Sequence, residues 1–185
     1  PFIVTLASMN IVKGIALVYT QGAPIRCMTD AFKFPGAGYV GPIPTPVILM
    51  LIIFVIAVML VNRTHFGRHI YAVGGNAQAA SFSGINVQKV KVWVYTFTGI
   101  MAGIAGVVIA SRLYSGQPRS GEGAEMDAIA AVVVGGTSMS GGSGRLGGTL
   151  IGVLIIGVLN NGLNLMGVDS NWQYIVKGFV ILLAV

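Results

Sequence analysis

The chain has 185 residues, of which 55% are hydrophobic and only 9% charged, and its net charge is +6. A soluble domain carries about 25% charged residues to keep its surface solvated, so this composition excludes an ordinary soluble protein. Long uncharged apolar runs occur at 46–61 and 92–111. Because roughly 20 helical residues cross a bilayer core about 30 Å thick, the sequence predicts an all-α fold, a polytopic transmembrane helical bundle.

Apolar segments follow one another along the chain at about 2–19, 46–61, 92–111, 126–137, 147–166 and 172–185. Thr45 and Pro46 open the second segment, as an N-cap and a first-turn proline would. The fourth segment is short for a full crossing, and a re-entrant segment is allowed only where its end is buried in protein or lines a cavity. We expect about six membrane segments. The fourth of them either spans the membrane or is re-entrant.

The loop 62–91 sets the orientation of the chain. It contains Arg63, Arg68, Lys89 and Lys91 and no acidic residue. Basic residues in short loops stay on the cytoplasmic side, so we expect 62–91 to be cytoplasmic. The loops at 20–46 and 112–125 would then lie outside. The positive net charge then reflects membrane topology, and no aromatic-interleaved basic stretch indicates nucleic-acid binding.

Within this cytoplasmic loop, Gln78, Ala79 and Ala80 are followed by Gly84. Alanines favour a helix and a glycine beyond them ends it, so the spacing predicts a short helix at the membrane face that could dock a cytoplasmic partner. His65 and His69 are four residues apart, but no third ligand accompanies them, and we interpret them as surface residues.

The segment GGSGRLGG, at 141–148, matches the dinucleotide fingerprint G-x-G-x-x-G. A dinucleotide site needs a preceding strand and an acidic residue about 20 positions later, whereas the next carboxylate here is Asp169. We therefore favour a tight connection between two closely packed helices. The pairs Gly148-x-x-x-Gly152 and Gly99-x-x-x-Gly103 are typical of helix packing in lipid.

Polar residues inside the apolar segments have two interpretations. Asn160, Asn161 and Asn164 could form hydrogen bonds between helices, or they could line a pathway for a hydroxyl-rich solute. Asp127 suits a helix N-terminus, where the dipole favours an anion, and a pathway role is the alternative. Lys13 could extend to the headgroup region or have a function.

Several phrases of the sequence resemble a known family. They include PFIVTLASM, GRHIYAVGGN, SGINVQKVK, EMDAIAAVVVGGTSMSGG, GTLIGVLIIGVLNNGLNLMGV and WQYIVKG. Together they resemble the branched-chain and monosaccharide permease family of ABC importers, specifically its ribose-type members. The residues from Gln78 to Gly84 are similar to the coupling motif E-A-A-x-x-x-G of these permeases, with Gln78 in place of the glutamate.

The resemblance implies a permease subunit in the bacterial cell (inner) membrane, which performs no ATP chemistry itself. Two permease chains would pair as a homodimer, with two cytoplasmic ABC ATPase subunits that bind ATP and magnesium and a periplasmic sugar-binding protein. By position, the docking residues would be Arg68, Asn76, Gln78, Ala79, Ala80 and Gly84. The chain, 1–185, would be the C-terminal half or more of a single transmembrane permease domain.

The resemblance favours ribose as the transported sugar and leaves galactose, xylose and a signalling furanose open. An ion-coupled secondary transporter is the rival class, although such carriers place ionisable groups near the membrane midplane and few occur here. No Ser/His/Asp set or paired carboxylates indicate catalysis, and the sequence predicts no cofactor or metal bound by this chain.

Overall fold

The structure, a computed structural model, describes residues 2–26 and 29–184. Within these ranges the helices are α1 (Phe2–Thr20), α2 (Asp30–Ala37), α3 (Thr45–Arg63), α4 (His65–Gly75), α5 (Ala77–Phe82), α6 (Val87–Arg112), α7 (Ala124–Val134), α8 (Leu146–Leu165) and α9 (Ser170–Ala184). The two-residue strands are β1 (Ile25–Arg26), β2 (Tyr39–Val40), β3 (Ile43–Pro44) and β4 (Ser115–Gly116). The predicted helical fold is confirmed, because each of the six apolar segments falls on a helix.

Length separates these helices into two groups. Over the part of the chain that the structure describes, four helices are long and apolar enough to cross a membrane, namely α1 from Ile3, α3, α6 and α8. The helices α7 and α9 have 11 and 15 residues. Four of the six predicted membrane segments therefore meet this length criterion, and the fourth and sixth correspond to the shorter helices α7 and α9. The helix α7 also ends at Val134, three residues before the predicted boundary, because a glycine turn follows it.

The chain divides into two compact units, one made of 1–54 and 95–122 and the other of 55–94 and 123–185. In the first unit, α2 is anchored to the last turn of α6 through Ser111, whose side chain is fully buried. The Ser111 hydroxyl donates to the Phe32 carbonyl at 2.6 Å and accepts from the Gly36 N–H at 2.8 Å. A Cβ on Gly36 would stand 2.6 Å from the Val108 carbonyl oxygen, so only glycine allows this approach.

The first unit also gives Lys13 a partner. The Lys13 ammonium forms an ion pair with Glu122, and about half of each side chain is exposed. The hydrogen bond from Lys13, and then its positive charge, lowers the pKa of the Glu122 carboxyl below its usual value. The structure thus places a lysine of an apolar helix against a carboxylate of the loop that follows α6. The negative charge of this carboxylate balances the positive charge of the lysine.

The second unit is organised by the contact between α7 and α8. Its buried core consists of Ala130, Ala131 and Ile156. Gly152 faces the Ala131 carbonyl so closely that a Cβ could not be added, and a Cβ on Gly135 would lie 2.6 Å from the Gly148 carbonyl oxygen. Small residues let the two backbones approach, as in other membrane helix pairs. The helices α7 and α8 therefore pack as a close pair.

Gly99 and Gly103 differ from this pair. Among the residues that the structure describes, nothing outside the helix's own nearby backbone lies within 4 Å of where their Cβ atoms would be. No close helix contact between described residues uses them, and their packing role stays a prediction.

Candidate functional site

The loop between α3 and α6 folds into two helices that share one residue. The helix α4 ends where the Asn76 N–H donates to the Ala72 carbonyl at 3.1 Å. The Asn76 side-chain oxygen then accepts from the N–H groups of Gln78 and Ala79, each at 3.0 Å, and so caps the start of α5. Because one residue ends α4 and caps α5, the two helices form a continuous segment without a flexible linker.

The other end of α5 is closed by a Schellman motif. The Ile85 N–H donates to the Ala80 carbonyl and the Gly84 N–H donates to the Ser81 carbonyl, both at 3.0 Å. Gly84 has φ +83°, which a residue with a Cβ adopts only at a cost. The predicted short helix ending at this glycine is confirmed. The helix α4, which precedes it, is not anticipated by the sequence analysis.

One side of α5 is buried and the other is open. Ala80 is only 4% exposed, whereas the ring of Phe82 is 92% exposed, and Gln78 and Ala79 are exposed as well. The Phe82 ring therefore projects from the open side of a helix that is capped at both ends. We call the continuous segment 65–84 the coupling segment.

Arg68 and the two histidines lie on α4. The Arg68 guanidinium is 2.7 Å from Nδ1 of His65, and both residues are exposed. His69 is partly buried. Within the described ranges, no three potential ligands come close enough to hold a metal ion.

The glycine segment between α7 and α8 lies against the end of α4. A Cβ on Gly74 would be 2.8 Å from the Gly142 nitrogen, and a Cβ on Gly142 would be 2.6 Å from the Gly75 Cα. The Tyr71 hydroxyl donates to the Gly144 carbonyl at 3.0 Å. Gly142 of this segment thus serves backbone-to-backbone packing, and a helix precedes the segment where a dinucleotide fold requires a strand.

A polar cluster joins α7, α8 and α9 away from the glycine segment. The Lys177 ammonium lies 2.8 Å from Oδ1 of Asp127 and 3.1 Å from Oδ2. Nδ2 of Asn160 donates to the same Oδ2 at 3.1 Å, while Oδ1 of Asn160 is buried without a hydrogen-bond partner within the described chain. Only 17% of the Lys177 side chain and 32% of the Asp127 side chain are exposed. We call Asp127, Asn160 and Lys177 the polar cluster.

The three asparagines of α8 have different surroundings. Asn160 belongs to the polar cluster, and Oδ1 of Asn164 accepts from Nε2 of Gln173 at 2.8 Å. Asn161 is exposed. Two of the three amides thus bond to side chains of other helices, one of the two interpretations that the sequence left open.

Lys177, Tyr71 and Phe82 were not predicted from the sequence as candidate functional residues. Lys177 had a signal, because a lysine in an apolar segment needs a partner, and Asp127 is a carboxylate in another apolar segment. Tyr71 and Phe82 had none, since their significance depends on which atoms the fold places beside them.

Several apolar helices of membrane length define a polytopic membrane protein. Residues 1–185 match the family described as "Branched-chain amino acid transport system / permease component". The chain belongs to this permease family and is a multi-pass protein of the bacterial cell membrane.

Individual relatives are similar over the whole chain or most of it. The ribose import permease protein of Bacillus subtilis (strain 168) is 56% identical over 187 residues, which cover 100% of this chain and 58% of the relative. A probable ABC transporter permease protein of Escherichia coli (strain K12) is 40% identical over 185 residues, covering 100% of this chain and 55% of the relative. The xylose transport system permease protein of Haemophilus influenzae (strain ATCC 51907 / DSM 11121 / KW20 / Rd) is 48% identical over 143 residues, 77% of this chain and 38% of the relative.

The chain thus spans somewhat more than half the length of the first two of these relatives. No solved structure matches it significantly.

Proposed function

We propose that this chain is part of the permease subunit of an ATP-driven importer for a monosaccharide, and that the sugar is ribose. The proposal is supported by full-chain identity of 56% to a relative named as a ribose import permease. The xylose permease relative reaches 48% over only 77% of the chain, which favours ribose over xylose.

The observation that carries the proposal is the coupling segment. The helix α5 is fixed at both ends and presents Phe82, Gln78 and Ala79 to solvent. In an importer of this kind, a groove on a cytoplasmic ABC ATPase would receive α5, with the Phe82 ring as the buried anchor and Arg68 beside it. Aromatic anchors provide a large share of the binding energy at such interfaces.

The energy for transport would come from the partner subunits. ATP and magnesium would bind between two ATPase subunits, and this chain would hold no cofactor and perform no catalysis. When ATP closes the ATPase pair, α5 would move with the groove that holds it. The rigid membrane helices would then open the pathway toward the outer face, where a periplasmic sugar-binding protein releases its sugar. Coupling of this kind requires two states that the partners bind with different affinity.

The polar cluster and the nearby amides are the proposed pathway contacts. The free Oδ1 of Asn160 can accept from a sugar hydroxyl, and the Asp127 carboxylate can do so when Lys177 shifts. Asn161 and Asn164 would extend this polar surface along α8. A second copy of the permease would complete the pathway, and Gly99 and Gly103 would face it or the rest of the subunit.

Reconstitution of the full-length protein tests the proposal. Membranes containing it are combined with the ATPase and the sugar-binding protein, and uptake of radiolabelled ribose and ATP hydrolysis are measured. The intact assembly should import ribose only with ATP. A wild-type assembly that recruits no ATPase, or that imports ribose on an ion gradient alone, would contradict the proposal and favour the secondary transporter.

Two variants locate the docking surface within that assay. Phe82→Ala should weaken ATPase recruitment by about tenfold or more, the size expected of an interface anchor. Phe179→Ala, which removes another exposed phenylalanine from α9, is the control and should not change recruitment. Ala80→Asp should displace α5, because Ala80 is buried, and should abolish coupled uptake while the protein still inserts into the membrane.

A further inference from the structure

We propose that the contact between Gly74 of α4 and Gly142 is the joint through which motion of α5 reaches α7 and α8. The inference rests on the proposed function, because it assumes that α5 is moved by an ATPase. We call the glycines at 74, 141 and 142 the glycine joint.

Main-chain atoms meet directly at this joint. A Cβ on Gly74 would lie 2.8 Å from the Gly142 nitrogen, and a Cβ on Gly141 would lie 2.5 Å from the Gly74 carbonyl oxygen. Both distances are too short for a real Cβ, so the two backbones are already as close as they can be. Gly141 and Gly142 also have φ values of +87° and +75°, which glycine adopts freely.

The side of the joint toward α5 has no slack. Gly74 and Gly75 are the last residues of α4, and Asn76 both ends α4 and caps α5. The Tyr71 hydroxyl, one turn earlier, holds the Gly144 carbonyl at 3.0 Å. A displacement of α5 therefore reaches the glycine segment by two routes. One is the backbone contact at Gly74, three residues before α5 begins, and the other is the hydrogen bond from Tyr71.

The side of the joint toward the membrane is equally stiff. The Ser138 N–H donates to the Ser143 carbonyl at 3.0 Å, which closes the glycine segment into a compact turn. The turn connects α7 to α8, and these two helices are held together where Gly135 packs on Gly148 and Gly152 packs on Ala131. A push on the turn must therefore move α7 and α8 together.

The far end of this rigid pair is the polar cluster. Asp127 is the fourth residue of α7, and Asn160 lies in the last two turns of α8. An 11-residue helix is about 17 Å long, so α7 connects the joint to the cluster as a short rod. Movement of the rod shifts Asp127 relative to Lys177 of α9, and the carboxylate becomes free for a sugar hydroxyl.

Gly74 and Gly75 provide a matched test of the joint. Both are the final residues of the same helix and neither has a positive φ, but a Cβ on Gly75 would lie 3.8 Å from its nearest neighbour outside that helix, which is ordinary contact. In the reconstituted full-length importer, ribose imported per ATP hydrolysed is measured for Gly74→Ala and Gly75→Ala. Mutations along a coupling path change the coupling by about 2- to 30-fold, and we expect a fall of that size for Gly74→Ala alone.

The readouts separate coupling from stability. For Gly74→Ala, the maximal rate of ATP-driven ribose uptake should fall. The KM for the ribose-loaded binding protein and the recruitment of the ATPase should stay unchanged. Equal coupling in the two variants would overturn the joint. A wild-type assembly without ribose-stimulated hydrolysis would instead overturn the proposed function, and the inference with it.

Tyr71→Phe tests the joint without adding an atom, in case Gly74→Ala does not fold. It removes the hydrogen bond to the Gly144 carbonyl and leaves the glycines in place. We expect a smaller fall in ribose imported per ATP, in the same direction. Unchanged coupling in a normally assembled Tyr71→Phe importer would contradict a role for this contact.

Discussion

The two ends of the α7–α8 pair are held in opposite ways. At the glycine joint, backbone meets backbone, and Gly74 and Gly142 leave no room for even one carbon atom. At the polar cluster, the contacts are made by the long side chain of Lys177 and the shorter ones of Asp127 and Asn160.

This difference separates transmission from response. A backbone contact has no rotamers, so it passes on a displacement without absorbing it. A lysine side chain has several rotatable bonds, so its ion pair can break as the helices shift. The backbone contact suits the end that receives force, and the side-chain contacts suit the end that must change state. Variants at each end test this difference.

The largest effect is expected from breaking the polar cluster on one side only. Asp127→Asn leaves the Lys177 ammonium unpaired in a place where 17% of its side chain is exposed. Losing one partner of a buried pair costs about 3–5 kcal/mol, and the partial exposure of Asp127 reduces this to about 2–3 kcal/mol. The midpoint of thermal unfolding in detergent should fall accordingly.

The control for this change removes both charges. Asp127→Asn combined with Lys177→Met should recover most of the stability, because no unpaired charge remains. Ribose uptake should stay low in the double variant if the carboxylate contacts sugar. A double variant as unstable as Asp127→Asn would mean that the pair is not the source of the effect.

A smaller loss is expected from separating α7 and α8. Gly152→Ala places a Cβ against the Ala131 carbonyl, and overpacking of this kind costs about 1–3 kcal/mol. Gly157→Ala, in the same helix, has no described atom within 4 Å of its Cβ and should be neutral or slightly stabilising. Thermal unfolding of the two variants compares them, and equal midpoints would contradict the tight pair.

A local loss is expected at the end of α5. Gly84→Ala adds no clash, since nothing in the described chain lies within 4 Å, but it forces a Cβ into φ +83°. The cost is about 1–2 kcal/mol, and asparagine, which tolerates this conformation, should cost less. Hydrogen exchange of the α5 amides should rise for Gly84→Ala more than for Gly84→Asn, while the amides of α8 stay protected.

The smallest effect concerns the more exposed ion pair, Lys13 with Glu122. The pKa of the Glu122 carboxyl is lowered in the folded chain, so the stabilisation is fully present above its usual value of 4.5 and is lost as the pH falls through the lowered value. Thermal unfolding should therefore not depend on this pair between pH 5 and 8. Glu122→Gln should remove the part of the acid-induced loss that comes from this pair, and an unaltered acid profile would show that the pair contributes nothing.

Much of the fold could be predicted because the bilayer simplifies the problem. Apolar length locates the helices of 46–61 and 92–111 directly, and Gly84 marks the end of α5 by its conformational freedom. The end of α7 was less predictable, since apolar composition does not show where a glycine turn ends a helix.

The candidate sites could be predicted only in part. Asp127 and Asn160 stood out because polar groups in apolar segments need partners. The partner Lys177, and the pairing of Gly74 with Gly142, depend on distant parts of the chain meeting in space. No local sequence pattern predicts such a contact between distant residues. The likeness of the glycine segment to a nucleotide fingerprint suggested a different role for these glycines.

The most direct test of the central proposal is the accessibility of residue 78 in the full-length importer. Gln78→Cys, in a chain without Cys27, is exposed to a membrane-impermeant maleimide in inside-out vesicles, with and without the ATPase. We predict rapid labelling from the cytoplasmic face and protection when the ATPase is bound. Labelling from the periplasmic face, or no protection by a bound ATPase, would contradict the proposal.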